Sequence, residues 1–443
     1  MDNNNDINST RDFIHWFRST SPYVNAHRGR TFILVFSGAA VQSKDFDTLT
    51  HDIAILNSLG IRLVLVHGAR AQIDKHLHRN DTQSKYHKGL RITGLKALDA
   101  VKEAVGGVRV EIESRLSMGI HNTPMSGAQL RVASGNFVTA QPLGVIDGVD
   151  FQHTGEVRRL DTEAMQSRLD QGDIILLSPL GYSPSGEVFN LSAEDVATSA
   201  AIELQADKLL FLLDGATLRD SKRQLIKELT PVQADKLLQG KRAINDELRT
   251  HLRSAAHACR FGVRRAHLIQ RKLDGALLQE LYTRDGIGTM ITSETYEQMR
   301  VANINDVSGI IELIKPLEQQ GVLVKRSREI LEMEINYFSV IERDGMIIGC
   351  AAIYPYMAEK SCELSCLVVH PDYRNQQRGA QLLIHCEKQA RALGIKKVFV
   401  LTTQTSHWFK ENGFTKTDIK DLPMKRKNLY NYQRRSQVFY KGL

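Results

Sequence analysis

From residue 31 onward, apolar residues show two kinds of spacing that alternate along the chain. Short apolar runs typical of buried strands are separated by segments whose apolar positions lie three and four residues apart, as on amphipathic helices. The strand-like runs are Thr31–Phe36, Ile61–Val66, Ile174–Leu177, Leu209–Leu213 and Arg265–Ile269. Strands that alternate with helices predict an α/β domain built on a mainly parallel sheet, and this domain is expected to end near Gly286–Thr289.

A second pattern of the same kind begins after residue 292. The predicted elements are a helix over Asn303–Lys315, strands over Phe338–Ile341, Met346–Tyr354, Glu363–Val369 and Lys397–Thr402, and a helix over Arg378–Leu393. Asp344-Gly345 is a hairpin signal between two of these strands. The predicted organisation is an N-terminal helical segment of residues 1–24, an α/β domain of residues 25–292 and a second α/β domain of residues 293–443.

Composition agrees with a globular protein of more than one domain. The chain has 443 residues, of which 42% are hydrophobic and 24% are charged, and this length exceeds what one compact core usually holds. No apolar run reaches the roughly 18 residues of a membrane span, and the polar start does not resemble a targeting peptide. Five cysteines without a CxxC pair predict reduced thiols and no metal site. We therefore expect a cytoplasmic protein that has no membrane partner.

The formal net charge of +8 leaves two explanations open. A basic surface is typical of nucleic-acid binding, but here the basic residues are interleaved with acidic ones along the whole chain. An anionic small substrate or cofactor explains a local basic excess equally well. We do not expect a nucleic-acid partner.

The segment from Cys362 to Leu393 is the most informative part of the sequence. A predicted strand ends at Val369, and a polar loop then leads to Gly379 at the start of a helix. A strand, a tight loop and a helix N-terminus form an anion site, because free backbone N–H groups and the helix dipole face the same point. Gly379 lets the backbone approach a pyrophosphate closely, and Arg374 adds a charged donor.

This loop resembles the acyl-CoA-binding motif of the GNAT family of N-acetyltransferases. The family pattern is (Gln/Arg)-x-x-Gly-x-(Gly/Ala), and residues 374–379 follow it except that Gln377 replaces the first glycine. Residues 407–414, which include Phe409, stand where the family has its aromatic-x-x-x-Gly-Phe signature. The alternative is an ordinary strand–helix turn. The resemblance implies that acetyl-CoA contacts Cys366, Leu367, Val368, Arg374, Gln376, Gln377, Arg378, Gly379, Ala380 and Phe409.

Acetyl transfer from a thioester needs a base for the attacking amine, donors for the developing oxyanion and stabilisation of the leaving thiolate. Glu363 is the best-placed base, acting through a water, although a solvated strand end is the plain alternative. Backbone N–H groups near Cys366 and Leu367 are expected to polarise the carbonyl, and Cys366 itself is expected to pack rather than to act as a nucleophile. Thr402 or Tyr430 is expected to assist the thiolate.

The acceptor is expected to carry carboxylates, which arginine side chains bind as forks. Candidates are Arg326, Arg426 and Arg435. The tail that holds Arg435 is rich in tyrosine and arginine, so a surface strip that binds nucleic acid and a basic chain end exposed to solvent are alternatives. This tail, together with residues 316–321, resembles the bacterial N-acetylglutamate synthase family, as does the domain order over roughly residues 10–440. The resemblance implies that the three arginines bind L-glutamate, that Glu363 is the base and that Thr402 takes the place of a proposed acid.

Residues 25–292 resemble the amino-acid-kinase fold, especially acetylglutamate kinase, so the predicted fold is an open, mainly parallel sheet sandwich. Phosphoryl transfer needs cationic groups, and the family's lysine before the first glycine loop is matched here by Val35. Ser37 stands in the paired-glycine position, Glu194 in that of the catalytic aspartate and His251 near that of a second lysine. We do not expect kinase activity.

The N-terminal helix and residues 280–289 resemble the arginine-binding region of arginine-sensitive acetylglutamate kinases and synthases. The resemblance implies that Tyr23, Glu280, Gly286 and Gly288 hold L-arginine as a feedback inhibitor. The alternative is a helix cap followed by a turn. The aromatic cluster at residues 13–17 predicts either packing on another subunit or docking on its own domain. The family resemblance implies a homo-oligomer, a hexamer.

Two other functions remain open at this point. One is acetyl transfer to another amine, such as a protein lysine, for which an open acidic groove would be expected. The other is a non-catalytic arginine sensor that uses both domains for binding. The three arginines favour a small acidic acceptor over a protein lysine.

Overall fold

The computed structural model describes residues 3–117, 130–240, 244–293, 297–374, 377–431, 434 and 436–443, with the side chains of residues 3–12 and of residue 15 left out. Gln376 and Arg435, two predicted site residues, therefore lie outside the described residues. The chain divides into two compact units, Met1–Glu294 and Thr295–Leu443. In the described residues, no helix is long and apolar enough to cross a membrane.

The first unit alternates strands and helices. Its strands are β1 (Thr31–Phe36), β2 (Arg62–His67), β3 (Lys85–His87), β4 (Leu90–Ile92), β5 (Val132–Ser134), β6 (Val138–Pro142), β7 (Val145–Ile146), β8 (Val149–Asp150), β9 (Gly155–Leu160), β10 (Ile174–Leu177), β11 (Leu180–Tyr182), β12 (Val188–Asn190), β13 (Lys208–Leu213), β14 (Glu228–Leu229), β15 (Arg265–Gln270) and β16 (Thr289–Thr292). Its helices are α1 (Asn3–His27), α2 (Gly38–Val41), α3 (Phe46–Ser58), α4 (Arg70–Arg79), α5 (Leu95–Ser117), α6 (Thr162–Asp170), α7 (Ala193–Glu203), α8 (Pro231–Gln239), α9 (Asp246–Arg260) and α10 (Ala276–Tyr282).

The main sheet of this unit has the strand order β14-β16-β15-β13-β1-β2-β10-β5. Neighbouring strands are parallel except for β15 and β16, which are antiparallel. Ile33 and Val35 pack into the core on one face, and Phe32 and Leu34 pack into the core on the other. Because helices cover both faces, the central strands are apolar throughout, and this is why the sequence predicted them within one residue of their observed ends.

A smaller sheet of order β12-β11-β6-β9 was not predicted from the sequence. Its strands are three to six residues long, and their buried and exposed positions alternate. A bulge between Thr139 and Ala140 also interrupts that alternation. Short strands with a broken period leave no clear signal in the sequence.

The two ends of helix α1 differ in their surroundings. Near its C-terminal end, the His27 ring lies 2.8 Å from the carbonyl oxygen of Leu281, and the Thr20 hydroxyl donates to that of Tyr282. This end therefore docks on its own unit. Near the N-terminal end, Phe13 and Phe17 stack on each other and are 62% and 57% exposed, so the aromatic cluster is open at the surface of the chain.

The second unit is built on a seven-stranded sheet. Its strands are β17 (Glu297–Val301), β18 (Phe338–Arg343), β19 (Met346–Tyr356), β20 (Ser361–Val369), β21 (Lys397–Thr402), β22 (Thr415–Thr417) and β23 (Gln437–Gly442), in the spatial order β17-β18-β19-β20-β21-β23-β22. Its α-helices are α11 (Val307–Gln319), α12 (Arg328–Glu334), α13 (Arg378–Ala392), α14 (Ser406–Glu411) and α15 (Met424–Asn428). Short 3-10 turns lie at Ile304–Asp306, Ile335–Tyr337, Met357–Glu359, Pro371–Tyr373 and Ile419–Asp421. All pairs are antiparallel except β20 with β21.

Local signals explain where the predicted elements of this unit are confirmed and where one is shifted. Asp344 and Gly345 both have positive φ, as the tight turn of a two-residue hairpin requires. Helix α11 starts later than predicted because Asn303 and Asp306 cap a 3-10 turn first. It ends later because Pro316 is accommodated in its last turn.

Candidate active site

Strands β20 and β21 separate at the predicted base. Their parallel pairing joins Glu363 to Phe399 and stops there, although β20 continues to Val369 and β21 to Thr402. Beyond Phe399, β21 keeps its pairing with β23 on its other side. The backbone of β20 after Glu363 is therefore not paired with β21, and the two strands enclose a V-shaped gap. Backbone N–H groups on such an edge are available to a bound carbonyl oxygen.

A bulge in β20 determines which side chains face which side of the sheet. Cys366 has a φ of 53°, and the register with β19 shifts between Cys350 and Ala352. Before the bulge, Leu364 packs into the core on the α13 side; after it, Val368 packs into the core beside α11. The bulge therefore reverses the alternation of the strand. Cys366 lies in the core, as expected for a packing residue.

The N-terminus of α13 has the geometry of an anion site. Gln377 precedes the helix with a φ of 57°, and the N–H of Gln381 makes the first intrahelical bond, to the carbonyl oxygen of Gln377. The N–H groups of residues 378–380 precede that bond and lie at the positive end of the helix dipole. A Cβ added to Gly379 would lie 3.4 Å from the Trp408 ring, so this glycine leaves the backbone accessible. These features fit the pyrophosphate of CoA.

The side chain of Arg378 makes its contacts within the protein, and the predicted contact of this residue with CoA stays a prediction. Its side chain is buried and makes a bidentate ion pair with Glu297 of β17, with distances of 2.8 and 2.7 Å. Its guanidinium also donates to the carbonyl oxygen of Tyr373. The side chain thus anchors the loop to the sheet, and only the backbone N–H of Arg378 remains for a ligand. Glu297 lies far away in the sequence, so no local signal pointed to it.

Arg374 and Phe409, two further predicted contacts of CoA, lie in different environments. Arg374 is exposed at the loop, and its Nε donates to the carbonyl oxygen of Val369. Phe409 is buried and packs against Phe414. Trp408, its neighbour in the sequence, is the aromatic residue that lies against Gly379. The contact of Phe409 with CoA stays a prediction.

The predicted base and two predicted arginines come together on one side of the sheet. Arg426, from α15, donates to both carboxylate oxygens of Glu363 at 2.6 and 3.1 Å. Arg326, from the loop between α11 and α12, donates to the Ser365 hydroxyl at 3.0 Å. Because Glu363 and Ser365 are two residues apart on β20, their side chains share a face of the sheet. The structure thus places a carboxylate and two guanidinium groups beside the gap.

Thr402 and Tyr430 are the residues of which one is predicted to assist the leaving thiolate. Thr402 ends β21, and its Oγ1 lies 2.9 Å from that of Thr405 and accepts the Thr405 N–H. Tyr430 is buried against Phe399, and its hydroxyl donates to the carbonyl oxygen of Ser436 at 2.7 Å. Thr402 is therefore the more accessible hydroxyl, and both roles stay predictions. Among the described residues, no cluster of His, Cys, Asp and Glu side chains is suited to a metal ion.

The first unit brings three of the predicted arginine-binding residues together. The buried carboxylate of Glu280 accepts the N–H groups of Ile287 and Gly288, each at 2.7 Å. A Cβ added to Gly286 would lie 2.4 Å from this carboxylate, and the φ of Gly286 is 53°. Burial alone would raise the pKa of Glu280, but the hydrogen bonds and the charge of His267, 2.6 Å away, lower it to about 2. Glu280 is therefore held as a carboxylate.

Tyr23, the fourth predicted arginine-binding residue, lies on α1. Its ring centroid is 6.3 Å from that of His27, and it packs on the core beside α10, the helix that carries Glu280. The arginine-binding assignment of all four residues stays a prediction.

The residues that replace the kinase machinery are engaged with each other. Val35 is buried in the core of the sheet, and the Ser37 hydroxyl donates to Asp214, which also pairs with Arg271. Glu194 lies 3.4 Å from His251. A buried valine cannot neutralise charge on a transferred phosphoryl group. The described residues thus give no support for kinase chemistry.

Comparison with known proteins gives the same two-part division. The model of the amino acid kinase family matches residues 30–270, and that of the acetyltransferase (GNAT) family matches residues 308–414. The amino-acid acetyltransferase of Azotobacter vinelandii is 52% identical over 98% of this chain and 100% of its own length. That of Pseudomonas putida strain GB-1 is 52% identical over the same shares of both chains.

A similar solved structure is that of N-acetylglutamate synthase from Neisseria gonorrhoeae, complexed with coenzyme A and L-arginine. It is 36% identical to this chain, with a TM-score of 0.86, and the match covers 97% of this chain and 99% of that one. A second structure of the same enzyme, complexed with coenzyme A and N-acetyl-glutamate, matches with a TM-score of 0.62 at 37% identity over the same shares.

Gln377 yields a testable prediction because it holds a left-handed conformation without being glycine. We expect Gln377→Val to lower the stability of the second unit by about 1–2 kcal/mol and to raise the KM for acetyl-CoA, since a β-branched residue fits poorly at positive φ. Gln377→Gly is expected to keep both close to the wild-type values. Thermal unfolding and steady-state kinetics check this, and equal behaviour of the two variants would contradict it.

Proposed function

Because the chain belongs to the amino-acid acetyltransferase family and uses acetyl-CoA, we propose that it acetylates the α-amine of L-glutamate to give N-acetyl-L-glutamate and CoA, the first step of arginine biosynthesis. The observation that carries this proposal is the grouping of Glu363 with Arg426 and Arg326 beside the gap between β20 and β21. Similarity adds support, since the Neisseria gonorrhoeae enzyme has been crystallised with N-acetyl-glutamate.

The two arginines account for a dicarboxylic acceptor. Each guanidinium presents several N–H donors in a planar fork, which suits a carboxylate. Arg426 donates to both oxygens of Glu363, so an acceptor carboxylate that reaches Arg426 competes with Glu363 for the same donors. Binding of glutamate thus displaces the Glu363 carboxylate from Arg426. The freed carboxylate can then accept a proton as the base. Arg435 is proposed as a third contact from the family resemblance.

Each chemical requirement of the transfer has a group in the site. Glu363 takes a proton from the acceptor ammonium, through a water, so that a neutral amine attacks the thioester carbonyl carbon. Backbone N–H groups of β20 at the bulge stabilise the oxyanion that forms. The C–S bond then breaks, and a proton from the nitrogen, relayed by a hydroxyl such as that of Thr402, completes CoA–SH. The remaining proton passes to solvent, so the transfer balances.

Regulation by L-arginine is proposed for the first unit. Glu280 is a buried carboxylate with two backbone N–H groups and two glycines around it, and a carboxylate is what a guanidinium ligand requires. The Neisseria gonorrhoeae structure with L-arginine supports this assignment. Inhibition then is a coupling free energy between two distinct sites.

Assembly and location belong to the same proposal. The exposed aromatic cluster of α1, formed by Phe13, Trp16 and Phe17, is suited to contact another copy of the chain, as expected for the homo-oligomer, a hexamer, that the family resemblance implies. All five cysteines are buried and unpaired, which fits a cytoplasmic protein.

The purified chain is expected to release CoA from acetyl-CoA with L-glutamate in preference to every other standard amino acid. Two guanidinium groups favour an acceptor with two carboxylates, so L-glutamine and a lysine-containing peptide are expected to be poor acceptors. Free thiol release and mass spectrometry of the product measure this. Comparable rates with the peptide would favour the protein-acetyltransferase alternative, and no transfer to any amine would favour the arginine-sensor alternative.

Replacement of the base is expected to slow the chemistry. Glu363→Gln should lower kcat by about 10²–10⁴-fold, with little change in the KM for acetyl-CoA, because the general base is lost while the CoA loop is intact. The residual rate should rise with pH as more of the acceptor amine becomes neutral. The control is Glu359→Gln, an exposed glutamate just before β20, which should behave as the wild type. A Glu363→Gln enzyme with wild-type kcat would refute the mechanism.

Replacement of the effector carboxylate is expected to separate regulation from catalysis. Glu280→Gln should weaken inhibition by L-arginine at least tenfold without changing the uninhibited kcat, because the charge that faces the guanidinium is removed. Gln279→Ala, an exposed neighbour on α10, serves as the control. Inhibition curves with L-arginine, together with thermal unfolding of both variants, measure the effect. Unchanged inhibition in a folded Glu280→Gln protein would exclude this site.

A further inference from the structure

Arg326 stands on a loop, yet its guanidinium is held from several directions. The loop joins α11 to α12 and has no regular secondary structure of its own. The backbone N–H of Arg326 donates to Glu318 at 2.9 Å, and its side chain donates to the carbonyl oxygen of Val324 and to the Ser365 hydroxyl. Ordering a free arginine when substrate binds would cost about 2 kcal/mol of side-chain entropy. An arginine that is already ordered avoids this cost.

Tyr354 is the group beside Arg326 that no motif identified. It lies opposite Glu363 in the pairing of β19 with β20, so its side chain shares the face of the sheet that carries Glu363 and Ser365. Burial would lower the pKa of Arg326, but neighbouring Cys366, Tyr354 and Glu334 outweigh it and keep that pKa above its ordinary value. The phenol is thus one of the electrostatic partners of this guanidinium.

The hydrogen bond of Tyr354 determines what its oxygen can do. The hydroxyl donates its one proton to the carboxylate of Glu334 at 2.6 Å. With the proton committed, the phenol oxygen presents only lone pairs to its other neighbours, and it can accept an N–H of Arg326. The ring is fixed as well, since its centroid lies 5.3 Å from that of Tyr337.

The arrangement of Glu334, Tyr354 and Arg326 differs from the direct ion pair of Glu363 with Arg426. Glu363 binds Arg426 through two donors, which an acceptor carboxylate must displace. Glu334 acts on Arg326 by accepting the proton of Tyr354, so it fixes the phenol beside the guanidinium without occupying a fork of donors. Arg326 is thereby oriented and stays able to bind an anion.

We propose that Tyr354, oriented by Glu334, is a positioning residue that sets the guanidinium of Arg326 for the acceptor carboxylate. The inference rests on the proposed function, in which Arg326 binds the acceptor. It places Tyr354 in the binding of the amino acid and outside the chemical step. Loss of the hydroxyl should therefore raise the KM for L-glutamate and leave kcat and the KM for acetyl-CoA near their wild-type values.

The test is a set of variants of the full chain, measured by steady-state kinetics. Tyr354→Phe is expected to raise the KM for L-glutamate about tenfold, the size of one lost hydrogen bond to a charged group. Glu334→Leu should give a rise of the same order, whereas Glu334→Gln, which keeps an oxygen acceptor, should recover most of the wild-type KM. Tyr337→Phe removes the hydroxyl of the neighbouring ring and is expected to change nothing.

A double-mutant cycle separates positioning from a general structural effect. Arg326→Gln should raise the KM for L-glutamate, and adding Tyr354→Phe to it should produce no further rise, because the residue that Tyr354 positions is already gone. Additive effects, a fall in kcat with unchanged KM, or a wild-type Tyr354→Phe enzyme would each overturn the inference alone. An unchanged KM in Arg326→Gln would instead refute the acceptor clamp of the proposed function and the inference with it. If Tyr354→Phe does not fold, the KM values for L-glutamate of Glu334→Leu and Glu334→Gln test the inference instead. Equal KM values for these two variants would overturn it.

Discussion

The separation of two parallel strands at Glu363 is the constraint on which the site depends. Strands β20 and β21 share three paired positions and then diverge, because β21 stays paired with β23 while β20 bulges at Cys366. A continuous sheet would use every backbone N–H for pairing and leave no room between the strands. The gap supplies free donors, and the bulge turns Cys366 and Val368 to the α11 side of the sheet, opposite to Leu364.

Carboxylates and guanidinium groups are combined in three ways around this sheet. Glu297 pairs directly with the buried Arg378 and fixes the CoA loop, a purely structural use. Glu363 pairs directly with Arg426, and in the proposed function an acceptor carboxylate competes with Glu363 for this arginine. Glu334 accepts the hydroxyl of Tyr354, through which we infer that it positions Arg326. Because one partner left alone in a buried ion pair is costly, the first arrangement resists change and the second responds to a competing carboxylate.

The first unit retains the architecture of an amino acid kinase with different side chains at the ends of its strands. Val35 and the Ser37–Asp214–Arg271 contacts occupy positions where phosphoryl transfer would require available cations. The same unit has Glu280 held as a carboxylate by backbone N–H groups and His267. This buried carboxylate is the group that the proposed arginine site uses, and the proposed role requires no catalysis from the unit.

The sequence by itself determined the two α/β domains, the strands buried on both faces, the CoA loop and the carboxylate and arginine candidates, because these follow from local periodicity and from motifs read along the chain. Tertiary structure decided that the Arg378 side chain pairs with Glu297, that the Trp408 ring lies beside Gly379, and that the Tyr354 hydroxyl donates to Glu334. The physical reason is that side-chain partners are chosen by distance in space. After the bulge at Cys366, the side chains of β20 alternate between the two faces in the opposite sense. A sequence pattern with a period of two does not show where such a reversal occurs.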